Sequence, residues 1–431
     1  MPASSAPSDR TVVLATVPAD EPPPPVSPPP AVSGLHVPPP PGRGEYLFGE
    51  RGGVAFLVGK GDEVEVVHNG RAGKPCAAVN SIALSPDGKR IAYGALEGGK
   101  WRVVVDGREG APFSAVRQVA FSPDGSHVAY QAMDGDLWKL VVDTTIKTET
   151  RTRFLNHEFG RDSSRLVFIT DVGDDDRGRL IVSDLSFKTQ VVVDPRAASL
   201  VLSADRTRAA AVSATGGRQR LLSFALDRPN DVQRGPPQDS AGSAVFGPDG
   251  TSLAYLATRS GRSYVVLGAQ DAPLPAVGEM VGQLAVRPDG KAVGALIFSQ
   301  AGADFRPFFA EAGPPEAVYL EADGLVYSGD GRAHAYAARR EDGWVVVVDG
   351  HEGPVFDRVV TPVFSPDGTR LAYRARKDGK RFVVVADLAG ATLKQHSAFE
   401  QVFPVLFTPD GKSIAYGVKD GRQLAWRVEA P

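Results

Sequence analysis

Three groupings in this 431-residue chain have the types and spacing to do chemistry. The stretch DVGDDDRG (171–178) brings Asp171, Asp174, Asp175 and Asp176 together. Such hard oxygen donors suit calcium, but the Asp spacing, central Gly and terminal Glu of a helical calcium loop are missing. A hairpin whose charges face water is the competing reading. Seven histidines (His36, His68, His127, His157, His334, His351 and His396) are scattered, none within five residues of another. His68, His127 and His334 fall in strands or hairpins of different repeats, so a shared site would require the fold to gather them. Large aromatics form the third grouping. Trp101, Trp138 and Trp344 each follow a repeat anchor by 14 residues, Tyr264 and Phe382 by 15, and Trp426 by 16. They could stack a sugar or peptide. Packing between repeats is the stronger expectation, since a recurring position serves the recurring interface.

The loops DGREG (106–110) and DGHEG (349–353) lie a constant 18 residues before the next anchor, and NGRAG (69–73) keeps that spacing without the Glu. Asp-Gly and Asn-Gly are hairpin signals, so these loops read as turns between third and fourth strands rather than as ligand sites. No G-x-S-x-G, H-E-x-x-H or G-x-x-x-x-G-K-[ST] is present, and the single Cys76 can neither close an internal disulfide nor pair for zinc. A net charge of −3 gives no broad basis for binding nucleic acid. No apolar run approaches the roughly 18–20 residues that span a bilayer.

The elements that must position these residues are repeats. VVVDGREGAPFSAVRQVAFSPDGSHVAYQA (103–132) matches VVVDGHEGPVFDRVVTPVFSPDGTRLAYRA (346–375) without a gap, at 17 of 30 positions. PDG occurs six times, with its Asp at 87, 124, 249, 289, 367 and 410, and weaker copies center on Asp162, Asp205, Asp330 and Arg51. The ten anchors stand 36 to 44 residues apart, within the range of a four-stranded propeller blade. In SPDG, Pro, Asp and Gly suit positions i+1 to i+3 of a type I turn, so the motif predicts the hairpin between first and second strands. A third strand follows, as in LEGGKWRVVVDG (96–107), and APFSAV (111–116) is expected to supply the fourth.

Repeats of the form F-S-P-D-G-x-x-(I/V/L)-A-Y, followed by a Gly/Asp-rich hairpin and a strand ending in V-D, resemble the WD-repeat-like propeller repeats of the TolB type. The resemblance covers about residues 44–431 and implies an all-β fold, a β-propeller of about ten four-stranded blades. Single propellers typically have 4 to 8 blades, so the array is expected as two smaller propellers or one large ring. The chain departs from TolB in showing no recognisable leading α/β domain, and from the propeller oligopeptidases in showing no hydrolase domain.

Residues 1–43, with EPPPPVSPPP (21–30) and VPPPP (37–41), read as a proline-rich, mostly disordered tether. Residues 44–431 read as the array, with a possible division near 236 into 44–235 and 236–431. The last repeat lacks a fourth strand, which TVVLATV (11–17) or GEYLF (44–48) could supply. The function expected is a non-catalytic scaffold for a protein or glycan partner, possible also as a subunit of a larger assembly. A hydrolase-type propeller with a polar or calcium-bearing channel is the alternative. No catalytic, cofactor-binding or metal-binding residue is assigned. The N-terminus shows no basic segment before a long apolar run, which points to the cytoplasm. A chain starting after a removed leader would belong to the periplasm or envelope.

Overall fold

A computed structural model of the chain describes residues 9–17, 46–49, 51–275, 279–299, 304–310 and 317–431. Among these residues there is no helix, and hence none long and apolar enough to cross a membrane. The strands form nine antiparallel sheets, A to I in chain order: 46–72, 78–109, 115–150, 157–234, 240–273, 280–309, 321–352, 358–395 and 401–429. Sheet D has seven strands and sheet F three; the others have four, counting Arg10–Thr16, which lies beside Gln423–Glu429 in sheet I. The described residues divide into two compact units, one drawn from 14–216 and 222–235, the other from 9–13, 217–221 and 236–431.

Sheet B shows how sequence becomes structure. Ala78–Leu84 pairs with Ile91–Glu97, which pairs with Lys100–Val105, which pairs with Arg108–Glu109. The second strand is apolar on both faces because both faces are covered. Ile91, Tyr93, Ala95 and Val104 pack with Ala55 and Leu57 of sheet A, whereas Ala92 and Val103 pack with Phe113, Val128 and Tyr130 toward sheet C. Alternate side chains of one strand thus serve opposite neighbors. Full burial of a side chain such as Tyr130 or Val128 contributes about 2 kcal/mol.

The repeated turn is closed by a side-chain clamp. Ser122 Oγ donates to Asp124 Oδ1 at 2.6 Å, Asp124 Oδ1 accepts from Ser126 N at 2.9 Å, and Ser122 Oγ accepts from His127 N at 2.9 Å. The same set recurs at Ser85/Asp87, Ser203/Asp205, Ser328/Asp330, Ser365/Asp367 and Thr408/Asp410. These hydrogen bonds to Ser122 and Ser126 hold the Asp124 carboxyl well below the usual range, and Asp367 falls to about 2 through its bonds from Ser365 and Thr369. A second clamp closes the other hairpin at that end. Asp106, at φ +49°, accepts from Ile91 N through Oδ1 at 2.9 Å, and Asp143, Asp349 and Asn69 repeat the contact.

The turns also nest. A Cβ on Gly125 would lie 3.3 Å from Ser85 Cβ, and one on Gly411 would lie 3.5 Å from the Pro366 ring, so each glycine receives the preceding turn.

Three features differ from the sequence reading or complete it. The fourth strand of sheet B is Arg108–Glu109 with an isolated bridge from Phe113 to Trp101, while Ala115 and Val116 of APFSAV already belong to sheet C. Two repeats are fused in sheet D. Gln190–Leu202 pairs with Gly178–Asp184 from Gln190 to Ala197 and with Arg208–Thr215 from Ala197 to Leu202, and Pro195 falls in the register shift between Asp194 and Ala197. Of the two segments that could complete the last repeat, Arg10–Thr16 does so, and Tyr46–Phe48 instead begins sheet A. Of the stretch 1–43 read as a tether, Arg10–Thr16 is therefore a strand; residues 1–8 and 18–43 lie outside the described residues.

Gly88 stands at φ +70°, and a Cβ there would come within 1.9 Å of Gly52 O. Gly88→Ala is expected to lose about 3 kcal/mol from left-handed strain plus collision. Gly98→Ala, at a hairpin tip where a Cβ meets nothing within 4 Å, should lose about 1 kcal/mol. Urea unfolding of both variants checks the ranking.

Candidate functional site

The sequence candidates are mostly absorbed by packing and pairing. Asp171 Oδ1 accepts from Thr150 Oγ1 at 2.8 Å, while Oδ2 faces Arg179 at 3.2 Å. Asp175 pairs with Arg196 and Arg177, and Asp176 pairs with Arg153. These carboxylates turn to arginines instead of converging, and among the described residues no group of three or more His, Cys, Asp or Glu could hold a metal ion. Trp101 and Trp138 pack into the layers between sheets B and C and between sheets C and D. Trp344 and Phe382 share the core between sheets G and H, where Arg358 covers the Trp344 ring at 3.8 Å. These four of the recurring aromatics are interface residues.

His68, His127 and His334 stay apart, in sheets A, C and G. His68 Nε2 lies 3.0 Å from Gly88 O, and His127 and His334 each face the clamp Asp of their own sheet at 2.9 Å. The Asp-Gly loops are turns between third and fourth strands, and Glu109 and Glu352 reach neighboring cations, Lys74 and Arg340.

A polar feature that spacing did not reveal runs along the first strands. The residue six before the anchor is Ser81, Gln118, Asn156, Ser199, Ser243 or Gln283 in six repeats. At all of these but Asn156 the pairing slips at a β-bulge, with Ser81 at φ +47° and Gln118 at +52°. Side chains from this belt reach the backbone of the next repeat. Gln118 N donates to Ser81 Oγ at 3.1 Å, Gln118 Nε2 to Leu155 O at 3.0 Å, and Gln283 Nε2 to Leu325 O at 3.2 Å.

Sheets C and D meet at the densest part of the belt. Arg117 lies over the Trp138 ring at 4.0 Å and donates from its η2 nitrogen to Phe154 O at 2.8 Å. Arg117 Nε donates to Gln131 Oε1 at 2.8 Å. A guanidinium only donates, so it fixes the Gln131 amide: Oε1 accepts and Nε2 must donate. Gln131 Nε2 lies 2.6 Å from Gln118 Oε1 and 3.4 Å from His157 Nδ1. Both are therefore acceptors, and the neutral His157 carries its proton on Nε2, which is buried without a partner.

Burial drives the His157 pKa down to about 4, and the Arg117 charge adds to that; the Ala129 carbonyl opposes the shift without closing a hydrogen bond. Burial likewise draws Arg117 down to about 10, with Arg153 behind it. No nucleophile belongs to this group. Its chemistry is the positioning of strands.

A second buried group sits in sheet I. Glu429 receives His396 Nδ1 at 2.7 Å, Tyr416 Oη at 2.5 Å, and Arg427 through Nε at 2.7 Å. Burial alone would raise the Glu429 pKa, but the bonds from His396, Tyr416 and Arg427 outweigh it and hold the carboxyl at about 2.

No family model matches the chain, and no curated protein matches it. Among solved structures, a eukaryotic initiation factor aligns over 80% of this chain and 96% of its own, at 13% identity and TM-score 0.47. The Dos1 propeller aligns over 80% and 90%, at 10% identity and TM-score 0.41. Porphyromonas gingivalis dipeptidyl peptidase 4 aligns over 70% and 56%, at 11% identity and TM-score 0.43. Likenesses this distant carry no argument about what the chain does.

Two outcomes follow from these buried groups. Gln131→Leu removes the acceptor of Arg117 Nε and the donor to Gln118, and should cost about 3 kcal/mol in urea unfolding, because a buried charged donor loses its partner. Glu429 has a folded pKa of about 2 against an ordinary 4.5, so its contribution is complete above pH 4.5 and is lost as pH falls toward 2. Glu429→Gln should start less stable than the wild type and lose less across that window, as thermal melts at each pH will register.

Proposed function

We propose that the sheets are the blades of a β-propeller with TolB-type repeats, about ten in number, divided near residue 236 into two rings. We propose further that the chain is a non-catalytic scaffold, taking a protein partner through its hairpin tips and acting in the cytoplasm. One observation carries the reading: the side chains that recur are consumed by clamps, belts and layers inside the array, whereas the hairpins between second and third strands end in open space. A Cβ on Gly98, Gly99, Gly135, Gly216, Gly217, Gly261, Gly379 or Gly421 would meet nothing within 4 Å. Around these glycines the residues differ in charge from tip to tip, from Asp134 and Asp136 in sheet C to Lys377 and Lys380 in sheet H. Binding specificity on a repeat scaffold belongs to such unlike loops, because the repeated positions are committed to packing.

The test is affinity capture of the tagged chain from its own organism, with cell fractionation, followed by charge reversal at one hairpin tip at a time. A stoichiometric partner should survive about 0.3 M salt, where the Debye length is under 8 Å. It should be lost when one tip is reversed and retained in Ser122→Ala, which perturbs only a turn clamp. A chain recovered alone, or captured equally by every tip variant, would overturn the reading. Retention on a glycan array instead would replace the protein partner by a carbohydrate.

A further inference from the structure

The junction of sheets C and D holds a buried titratable group whose hydrogen-bond polarity is dictated from outside it. Arg117 Nε fixes Gln131 Oε1 as acceptor, so the Gln131 Nε2 that faces His157 can only donate. The contact is satisfied while His157 Nδ1 is bare, and no rotation of the amide rescues it afterward. Turning Gln131 over would place its NH₂ against Arg117 Nε and its oxygen against Gln118 Oε1, donor to donor and acceptor to acceptor.

We propose that the Gln131–His157 contact is a one-proton switch, in which protonation of Nδ1 sets two donors face to face and loosens the junction of sheets C and D while the other sheets stay closed. The charged surroundings leave the added proton uncompensated. From the strand Ala115–Phe121 the facing charge is Arg117, itself a cation. The strand Val128–Asp134 presents Gln131 and the Ala129 carbonyl, and Arg165–Thr170 pairs Phe168 with His157; none of these titrates. On the histidine's own strand, Glu158 is held by Arg206 at 3.0 Å. Arg153, behind Arg117, is held by Asp176. Protonation therefore puts a second cation beside Arg117 in a buried layer where no carboxylate among the described residues receives it.

The sign follows from the cause. A histidine kept neutral by burial binds its proton more readily in the opened state, so closure is complete above the ordinary value of 6.5 and is lost as pH falls toward about 4. The histidines at the turn clamps do not share this logic, since His127 and His334 each face an Asp that welcomes their charge.

Hydrogen–deuterium exchange of the full chain between pH 7 and 4, corrected for intrinsic rates and returned to pH 7, tests the switch. Amides of 115–121 and 154–159 should lose protection tenfold or more and regain it on return. Those of 358–364, the corresponding strand of sheet H, should not change. His157→Asn places a non-titrating acceptor near the Nδ1 position and should abolish the selective loss. Uniform loss across both regions, no loss at 154–159, or unchanged loss in a folded His157→Asn would overturn the proposal. Should that variant not fold, the comparison of the two regions within the wild-type chain decides alone.

Discussion

Everything in this array depends on the turn between the first two strands of a repeat. It must reverse the chain in four residues, satisfy its own polar groups and leave room for the next turn. Ser122 and Asp124 satisfy it, with the serine hydroxyl fully buried and donating while it accepts from His127 N. Gly125 leaves the room, since its left-handed φ of +72° and missing side chain let the Ser85–Pro86 turn sit against it. Where the serine is replaced, another group assumes the role. Arg287 pairs with Asp289 through two nitrogens at 2.9 Å, and at Gly247 it is Ser252 and Thr251 that bond Asp249. The polar work is preserved while the residue supplying it changes.

Through these turns neighboring sheets come into contact, and the contact selects the rest. A second strand covered on both faces admits only small residues where the backbones approach, as at Ala92, Ala129, Ala254, Ala335 and Ala372, none of them exposed. Large aromatics on the third strand, Trp101, Trp138 and Trp344, pack into the layers between neighboring sheets. At the first strands apolar bulk gives way to the polar belt, because a β-bulge exposes backbone groups that a buried layer must satisfy. Gln118 and Gln283 meet that demand from one repeat to the next.

Legibility in the sequence followed the distance over which each interaction acts. The SPDG hairpin and the Asp-Gly turns are contained within five or six residues, and both stand where their residue types placed them. The interface role of Trp101, Trp138 and Trp344 was readable from periodicity alone. Arg108–Glu109 was missed as a fourth strand because two exposed charged residues carry no strand pattern. The fused strand Gln190–Leu202 was hidden by Pro195, which normally ends a strand but here falls at a register shift in the pairing with Gly178–Asp184. The polar residue six before the anchor was a usable signal that the apolar repeat pattern obscured.

The sequence by itself determined the all-β repeat, its strand order around the PDG turn, and the apolar layers, since these follow from turn chemistry and alternation. Only the tertiary structure decided that Asp171, Asp175 and Asp176 face arginines, that Arg10–Thr16 joins the last sheet, and that His157 meets Gln131. The last two of those contacts join segments that no local rule relates, 26 residues apart for His157 and Gln131 and across nearly the whole chain for Arg10–Thr16. Residue types fix which groups can donate, accept or carry charge; which of them meet depends on how the layers stack.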